Sequence, residues 1–151
     1  MDFVSIRIIT EDVTRLASFY AKATGVEPTF YTEDFAELST AHGTLAIGGT
    51  RTVPLFAPGA ARPADNRTVI IEFLVGDVDA VRQNLADHIE DEAFVQEPTT
   101  MPWGNRSLLF RDPDGNLVNF FTPVTPAARE KFARHRPGQA QQTSSSGSAR
   151  P

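Results

Sequence analysis

The chain has 151 residues and a mass of 16.5 kDa, which suits one domain or two small units that share a core. Its composition, 40% hydrophobic and 22% charged, is typical of a globular protein, and no apolar run reaches the roughly 18–20 residues of a membrane span. The absence of cysteine excludes disulfides, thiolate metal sites and a cysteine nucleophile. The first residues lack the pattern of a secretory or transit peptide, so we expect a cytoplasmic protein.

Charge is distributed unevenly along the chain. The net charge is -5, yet residues 126–151 carry five Lys/Arg and one acidic residue, so the remainder is strongly acidic. Binding to nucleic acid requires a basic surface that neutralises phosphates. We therefore expect neither a nucleic acid nor a membrane as partner.

The first part of the chain reads as a strand, a helix and a hairpin. Residues 4–8 alternate Val, Ile and Ile with other residues, as in a strand with one buried face. Val13, Leu16 and Tyr20 follow helical spacing, and Gly25 is a plausible end of that helix. The stretch FAELSTAHGTLAIGG predicts a hairpin with its turn at His42-Gly43.

The same order recurs in the second part. VIIEFLVGDV at 69–78 aligns with VSIRIITEDV at 4–13, and DGNLVNF at 114–120 aligns with HGTLAIG at 42–48. A Pro/Ala/Gly-rich stretch at 57–67 separates the two units. The repeat predicts two βαβββ modules, at about 3–56 and 67–123.

The remaining residues form an extension and a tail. Thr125 and Pro126 are typical of a helix start, so 124–136 is expected to form a short basic helix. Residues 137–151 have no aromatic or branched aliphatic side chain and are predicted to be disordered.

Three segments carry a resemblance to a known superfamily: EDVTRLASFYAKATGV, VIIEFLVGDVDAV and MPWGNRSLLFRDPDGNLVNFF. Together, in this order and spacing, they resemble the vicinal oxygen chelate, or glyoxalase/bleomycin-resistance/dioxygenase, superfamily over residues 1–123. The resemblance implies an α+β fold in which two tandem βαβββ modules form a half-open barrel with helices outside. It also implies a ligand on the concave face and a homodimer.

Enzymes of this superfamily usually hold a divalent metal at four positions. Carried onto this sequence, those positions fall on Ser5, Ile47, Ile70 and Asn119. Two aliphatic side chains, a hydroxyl and an amide are a poor donor set for a divalent cation. The three histidines lie far apart in the sequence and do not replace these ligands. We expect no metal and no other cofactor.

The residues lining the concave face follow from alternation if Ser5 and Ile70 point inward. The predicted ligand-binding residues are Ser5, Arg7, Phe35, Ile47, Ile70, Glu72, Trp103, Leu109, Arg111, Asn119 and Phe121. Arg7 and Glu72 are repeat equivalents, so they either form an ion pair with each other or contact ligand. Trp103 either stacks on a planar ligand or packs at the rim or a dimer contact. Asp112 and Asp114 are explained by turn formation in DPDGN.

Three functions remain open. The first is a metal-independent protein that binds a small molecule and sequesters it, similar to the antibiotic-resistance branch of the superfamily, with an aromatic or antibiotic-like ligand. The alternative is a metal-independent lyase- or isomerase-type enzyme with Glu72 as general base and an arginine that stabilises an anion. The third is a structural dimer or partner protein.

Overall fold

A computed structural model describes residues 1–135, so the predicted disordered tail at 137–151 lies outside the described residues. The first half folds into β1 (Ser5–Thr10), α1 (Val13–Thr24), β2 (Thr29–Thr32), β3 (Phe35–Thr40) and β4 (Gly43–Gly49). The second half contains β5 (Ile70–Leu74), α2 (Val78–Leu85), β6 (Phe94–Thr100), β7 (Asn105–Arg111) and β8 (Leu117–Pro123). The short helix α3 (Pro126–Lys131) follows. Single 3₁₀ segments cover Thr50–Leu55, Asp91–Ala93 and Ala133–His135.

The strands form two four-stranded mixed sheets, one in each module. Their strand orders are β1-β4-β3-β2 and β5-β8-β7-β6. The first strand of each module pairs in parallel with the last, and the other neighbours are antiparallel. Neither sheet closes into a barrel. The predicted α+β fold of two tandem βαβββ modules is confirmed.

Both long helices begin at an aspartate. Asp12 Oδ1 accepts a hydrogen bond from the Arg15 backbone N–H, and Asp77 caps α2 in the same way. Gly25, at φ 71°, ends α1 in the left-handed conformation that glycine adopts at little cost. Within residues 1–135, no helix combines the length and the apolar character needed to cross a membrane.

One face of each sheet, the covered face, packs in the core beside the helices, and the other faces away from that core. The covered faces and the helices form a shared core, whose fully buried aromatic residues are Tyr20, Phe110 and Phe120. We call the opposite surfaces the open faces. Alternation along a strand places alternate residues on opposite surfaces, so the register between strands decides which side chains share a face.

The prediction that Ile47 lines the open face is wrong. Ile47 pairs with Ile8 and Ala36 on the covered face and is fully buried, whereas Ala46 pairs with Arg7 and Glu37 on the open face. The cause lies in the turns. In the first module, two residues separate Thr40 from its partner Gly43. In the second module, three residues separate the equivalent pair Asp112 and Asn116, which are joined by a hydrogen bond from the Asp112 N–H to the Asn116 carbonyl. Because the second turn has one more residue than the first, the repeat alignment is wrong by one position in β4. The residues predicted to lie on one face of β4 therefore lie on the other.

Candidate ligand-binding site

The open face of the first sheet carries an aromatic cluster around Arg7. The Arg7 guanidinium carbon lies 4.8 Å from the centre of the Phe35 ring and 5.2 Å from that of Phe56. The rings of Tyr31 and Phe35 are 5.9 Å apart. These distances are those of favourable cation–π and aromatic contacts. We call Arg7, Tyr31, Phe35 and Phe56 the aromatic cluster.

Local geometry positions this cluster. Phe35 starts β3 and lies on the same face as Arg7, because Ile9 and Phe35 both pair with Gly48 while Arg7 pairs with Ala46. A Cβ at Gly48 would lie 3.0 Å from Thr52 Oγ1, which is closer than an ordinary contact, whereas Arg7 Cδ at 3.7 Å would be in normal van der Waals contact. Glycine at this position therefore leaves room for the Thr52 side chain.

Two members of the cluster were not among the predicted site residues. Tyr31 lies on the edge strand β2 and Phe56 follows the 3₁₀ segment, with 62% and 74% of their surface exposed. Large aromatic side chains are rarely left so exposed without a binding role when they cluster. The signals available in the sequence were the aromatic pair at 30–31 and the apolar Leu55-Phe56 next to the linker.

The open face of the second sheet is more polar. Glu72, Asn119 and Leu109 lie side by side on β5, β8 and β7. Asn119 Nδ2 donates a hydrogen bond of 2.8 Å to Glu72 Oε1, while Asn119 Oδ1 is buried and has no partner within residues 1–135. Phe121, two residues further along β8, is 6% exposed.

The C-terminal extension covers part of this face. The Phe132 ring, after α3, lies 5.0 Å from the ring of Phe121, and the His135 ring lies 5.1 Å from that of His42 in the β3–β4 turn. Since His42 belongs to the first module and Phe121 to the second, the extension spans both. Nothing in the sequence pattern predicted either contact.

The other predicted residues lie at the margins. Ser5 and Ile70 are exposed at the starts of β1 and β5, and Arg111 Nη1 donates to the Gly115 carbonyl at 2.8 Å. Trp103 is 63% exposed in the β6–β7 loop. Among residues 1–135, Arg7 and Glu72 do not form the ion pair that their repeat positions suggested, because Arg7 turns toward the rings of Phe35 and Phe56.

A separate cavity lies at the seam between the modules. It has a volume of about 240 Å³ and is bounded by β1, the 57–67 linker and β5. Arg7 is the one predicted site residue that lines it. Its volume is below the roughly 300–1,000 Å³ of pockets that hold drug-sized ligands.

The four positions that the resemblance assigns to a metal carry few donor atoms in this chain. The side chains of Ile70 and Ile47 have no lone pair to donate. The same is true of Ala46, which occupies the position equivalent to Asn119 in the first module. The Asn119 amide nitrogen is engaged with Glu72. No cluster of three or more His, Cys, Asp or Glu side chains suited to a metal ion occurs among residues 1–135. A serine hydroxyl and an amide oxygen are insufficient ligands for a divalent cation.

The family model described as the Glyoxalase/Bleomycin resistance protein/Dioxygenase superfamily matches residues 2–120. The chain belongs to this superfamily. The match covers both modules, so the repeat and the two half-open sheets are features of a glyoxalase/bleomycin-resistance/dioxygenase domain. No curated protein sequence matches the chain.

Solved structures share this fold. A glyoxalase/bleomycin resistance protein/dioxygenase from Nocardioides superimposes with a TM-score of 0.67 at 21% identity, covering 93% of this chain and 90% of its own. A family enzyme from Burkholderia phytofirmans PsJN gives 0.70 at 16% identity, covering 82% and 100%. A protein of unknown function from Agrobacterium tumefaciens str. C58 gives 0.69 at 26% identity, covering 82% and 95%. At these low identities the similarity shows a shared fold.

Proposed function

We propose that this protein is a metal-independent member of the superfamily that binds and sequesters an aromatic or antibiotic-like small molecule on its open faces. The aromatic cluster carries this proposal. Two aromatic rings beside one guanidinium, with a third ring packed on Phe35, offer a planar ligand a stacking surface and a charged edge. Burying such a ligand contributes roughly 25 cal/mol per Å² of apolar area removed from water.

Metal independence is supported by side-chain chemistry. The aliphatic residues at two of the four metal positions cannot donate an electron pair, so the glyoxalase and dioxygenase reactions, which use a metal to polarise substrate oxygens, have no place to anchor it. Dialysed protein should therefore retain no stoichiometric zinc, iron, nickel or manganese in elemental analysis. Retention of one equivalent of any of them would contradict this part of the proposal.

The binding experiment uses a panel of planar aromatic natural products, including antibiotics, titrated by calorimetry. At least one member should bind saturably, and Phe35→Ala should weaken it by about 1–3 kcal/mol, the size of a stacking contact. Phe30→Ala is the matched control, because Phe30 pairs with Ala36 and so lies on the other face of the same edge of the sheet. Equal losses in the two variants would contradict a site at the aromatic cluster.

Sequestration and catalysis are separated by the fate of the ligand. We expect native mass spectrometry of the freshly purified protein to show a co-purified small molecule that is recovered chemically unchanged after release. Steady conversion of that molecule, lost in Glu72→Gln while binding persists, would instead support the lyase- or isomerase-type enzyme. Trp103, the only tryptophan, gives the fluorescence signal for titrations. Trp103→Ala should also weaken binding if its loop contacts the ligand.

A further inference from the structure

Three buried side-chain oxygens on the open face of the second sheet have no hydrogen-bond partner within residues 1–135. They are Asn105 Oδ1, Ser107 Oγ and Asn119 Oδ1, in residues that are only 7%, 2% and 8% exposed. Buried polar groups in native proteins are almost always paired, because desolvation without a partner costs free energy. An unpartnered set on one surface therefore points to a ligand that supplies the missing donors.

The register places all three oxygens on the same surface. Ser107 pairs with Phe121, and Asn119 pairs with Glu72 and Leu109, while the intervening residues Leu108 and Phe120 point into the core. Asn105 lies two residues before Ser107 on β7 and so shares its face. We call Glu72, Asn105, Ser107 and Asn119 the polar strip.

The polar strip is rich in acceptors: a carboxylate, the Asn119 carbonyl oxygen and the Ser107 hydroxyl, which can accept as well as donate. The Asn119 amide is oriented by its donation to Glu72 Oε1 at 2.8 Å, which leaves its carbonyl oxygen as the free atom. Beside it lie a carboxylate and a hydroxyl. The two arginines of the open faces are engaged elsewhere: Arg111 donates to the Gly115 carbonyl, and Arg7 lies over Phe35. A cation with several N–H donors can bind to these acceptors, whereas the carboxylate of a ligand would be repelled by the negative charge of Glu72.

We propose that the polar strip is a subsite for a protonated amine carried by the aromatic ligand. This inference rests on the proposed function, since it names the charge class of the molecule bound at the same site. Glu72 is exposed and pairs first with the ammonium group. Asn119 Oδ1 and Ser107 Oγ then accept its remaining N–H groups. Phe132 lies on Phe121, the neighbour of Ser107, so we expect the deeper oxygens to become accessible to the ligand by local opening of the C-terminal extension.

The test compares three probes that share one ring system and differ in the polar group: 2-naphthylmethylammonium, 2-naphthalenemethanol and 2-naphthoate. Calorimetry of the full chain at pH 7 should show the ammonium probe binding at least about tenfold tighter than the carboxylate, because a charge-assisted hydrogen bond contributes at least that factor. In Ser107→Ala and in Asn119→Leu the ammonium probe should lose about tenfold in affinity while the carboxylate probe changes little.

Ser18→Ala is the matched control. Ser18 is exposed on α1, outside both open faces, so the same change there should leave the preference intact. Circular dichroism melting confirms that each variant is folded before its affinity is compared.

The outcomes separate the two proposals. Binding of all three probes with no preference, or with the carboxylate tightest, would overturn the ammonium subsite and leave the binding function standing. A preference for the ammonium probe that persists unchanged in the Ser107 and Asn119 variants would overturn it as well. Failure of every probe and of the natural-product panel would overturn the binding function together with this inference.

Discussion

Tyr20 and Asp112 connect the two modules through a buried hydrogen bond. The Tyr20 hydroxyl, on α1, donates to Asp112 Oδ2 at 2.8 Å in the turn between β7 and β8. Asp112 Oδ1 accepts from the backbone N–H groups of Asp114 and Asn116, each at 2.9 Å. The turn role expected for this aspartate agrees with these contacts, and the tyrosine adds a link between residues 92 positions apart.

We expect Tyr20→Phe to lower the free energy of unfolding by about 1.5–3 kcal/mol, because it removes a buried hydrogen bond to a charged acceptor. Urea denaturation measures the change. Tyr31→Phe is the control, since Tyr31 is 62% exposed and has no hydroxyl contact within residues 1–135. Similar small losses in both variants would show that the Tyr20 hydroxyl contributes no more than an exposed one.

The same residue predicts how stability depends on pH. Burial, and then the charge of Asp112, raise the pKa of Tyr20 far above its usual value near 10. Above about pH 10 the unfolded chain releases this proton while the folded chain keeps it, so the free energy of unfolding falls by about 1.4 kcal/mol per pH unit from this group. Denaturation at pH 9–11 should show this fall in the wild type and a shallower one in Tyr20→Phe. Parallel curves would contradict it.

At the scale of elements, Gly104 joins the β6–β7 loop to the start of the C-terminal extension. Its carbonyl accepts from the backbone N–H groups of Val124 and Thr125, at 2.9 and 3.2 Å. Its φ of 89° is in the left-handed region, and a Cβ there would overlap the Thr125 hydroxyl that caps α3. Both the backbone conformation and the close approach therefore require glycine.

Gly104→Ala should destabilise the protein clearly more than Gly115→Ala, as measured by thermal unfolding. Gly115 has a similar φ of 80° but nothing within 4 Å of an added Cβ, so its variant isolates the backbone strain. That strain is about 1–3 kcal/mol. An equal loss in both variants would mean that the contact with Thr125 relaxes at no cost.

Phe132 is the aromatic side chain through which the C-terminal extension contacts the second sheet. Phe132 packs on Phe121, while Lys131 beside it is exposed. Phe132→Ala should speed hydrogen exchange across Pro126–His135 by about tenfold or more, because loss of a partly buried aromatic contact favours local opening. Mass spectrometry of peptic fragments measures the rate, with Glu130→Ala as control, because Glu130 is exposed on the same helix. Unchanged exchange would show that the extension is held elsewhere.

At the scale of the whole molecule, each module leaves an edge strand uncovered. β2 is exposed along its length, including Phe30 and Tyr31, and Val95 of β6 is 52% exposed. Exposed apolar edges favour association with another chain. The homodimer implied by the resemblance stays a prediction. Sedimentation at micromolar concentration should give about twice 16.5 kDa, and a single species at 16.5 kDa would contradict it.

Local patterns in the sequence predicted much of the fold. Asp12 and Asp77 cap the two helices, and apolar residues alternate along the neighbouring strands. Both patterns can be recognised in a sequence because they depend on residues within a few positions of each other. The repeat of these patterns was sufficient to predict two βαβββ modules. Which side of β4 belongs to the open face was not predictable in this way, because one additional residue in a turn reverses every later side chain.

The sequence by itself thus determined the two modules and their helix starts, since each follows from residue type and short-range order. Only the tertiary structure decided that Arg7 lies over Phe35, that Asn119 donates to Glu72, and that the extension reaches His42. These contacts join residues distant along the chain, and their geometry depends on register and packing. Alternation and local propensity carry no information about which distant partner a side chain meets.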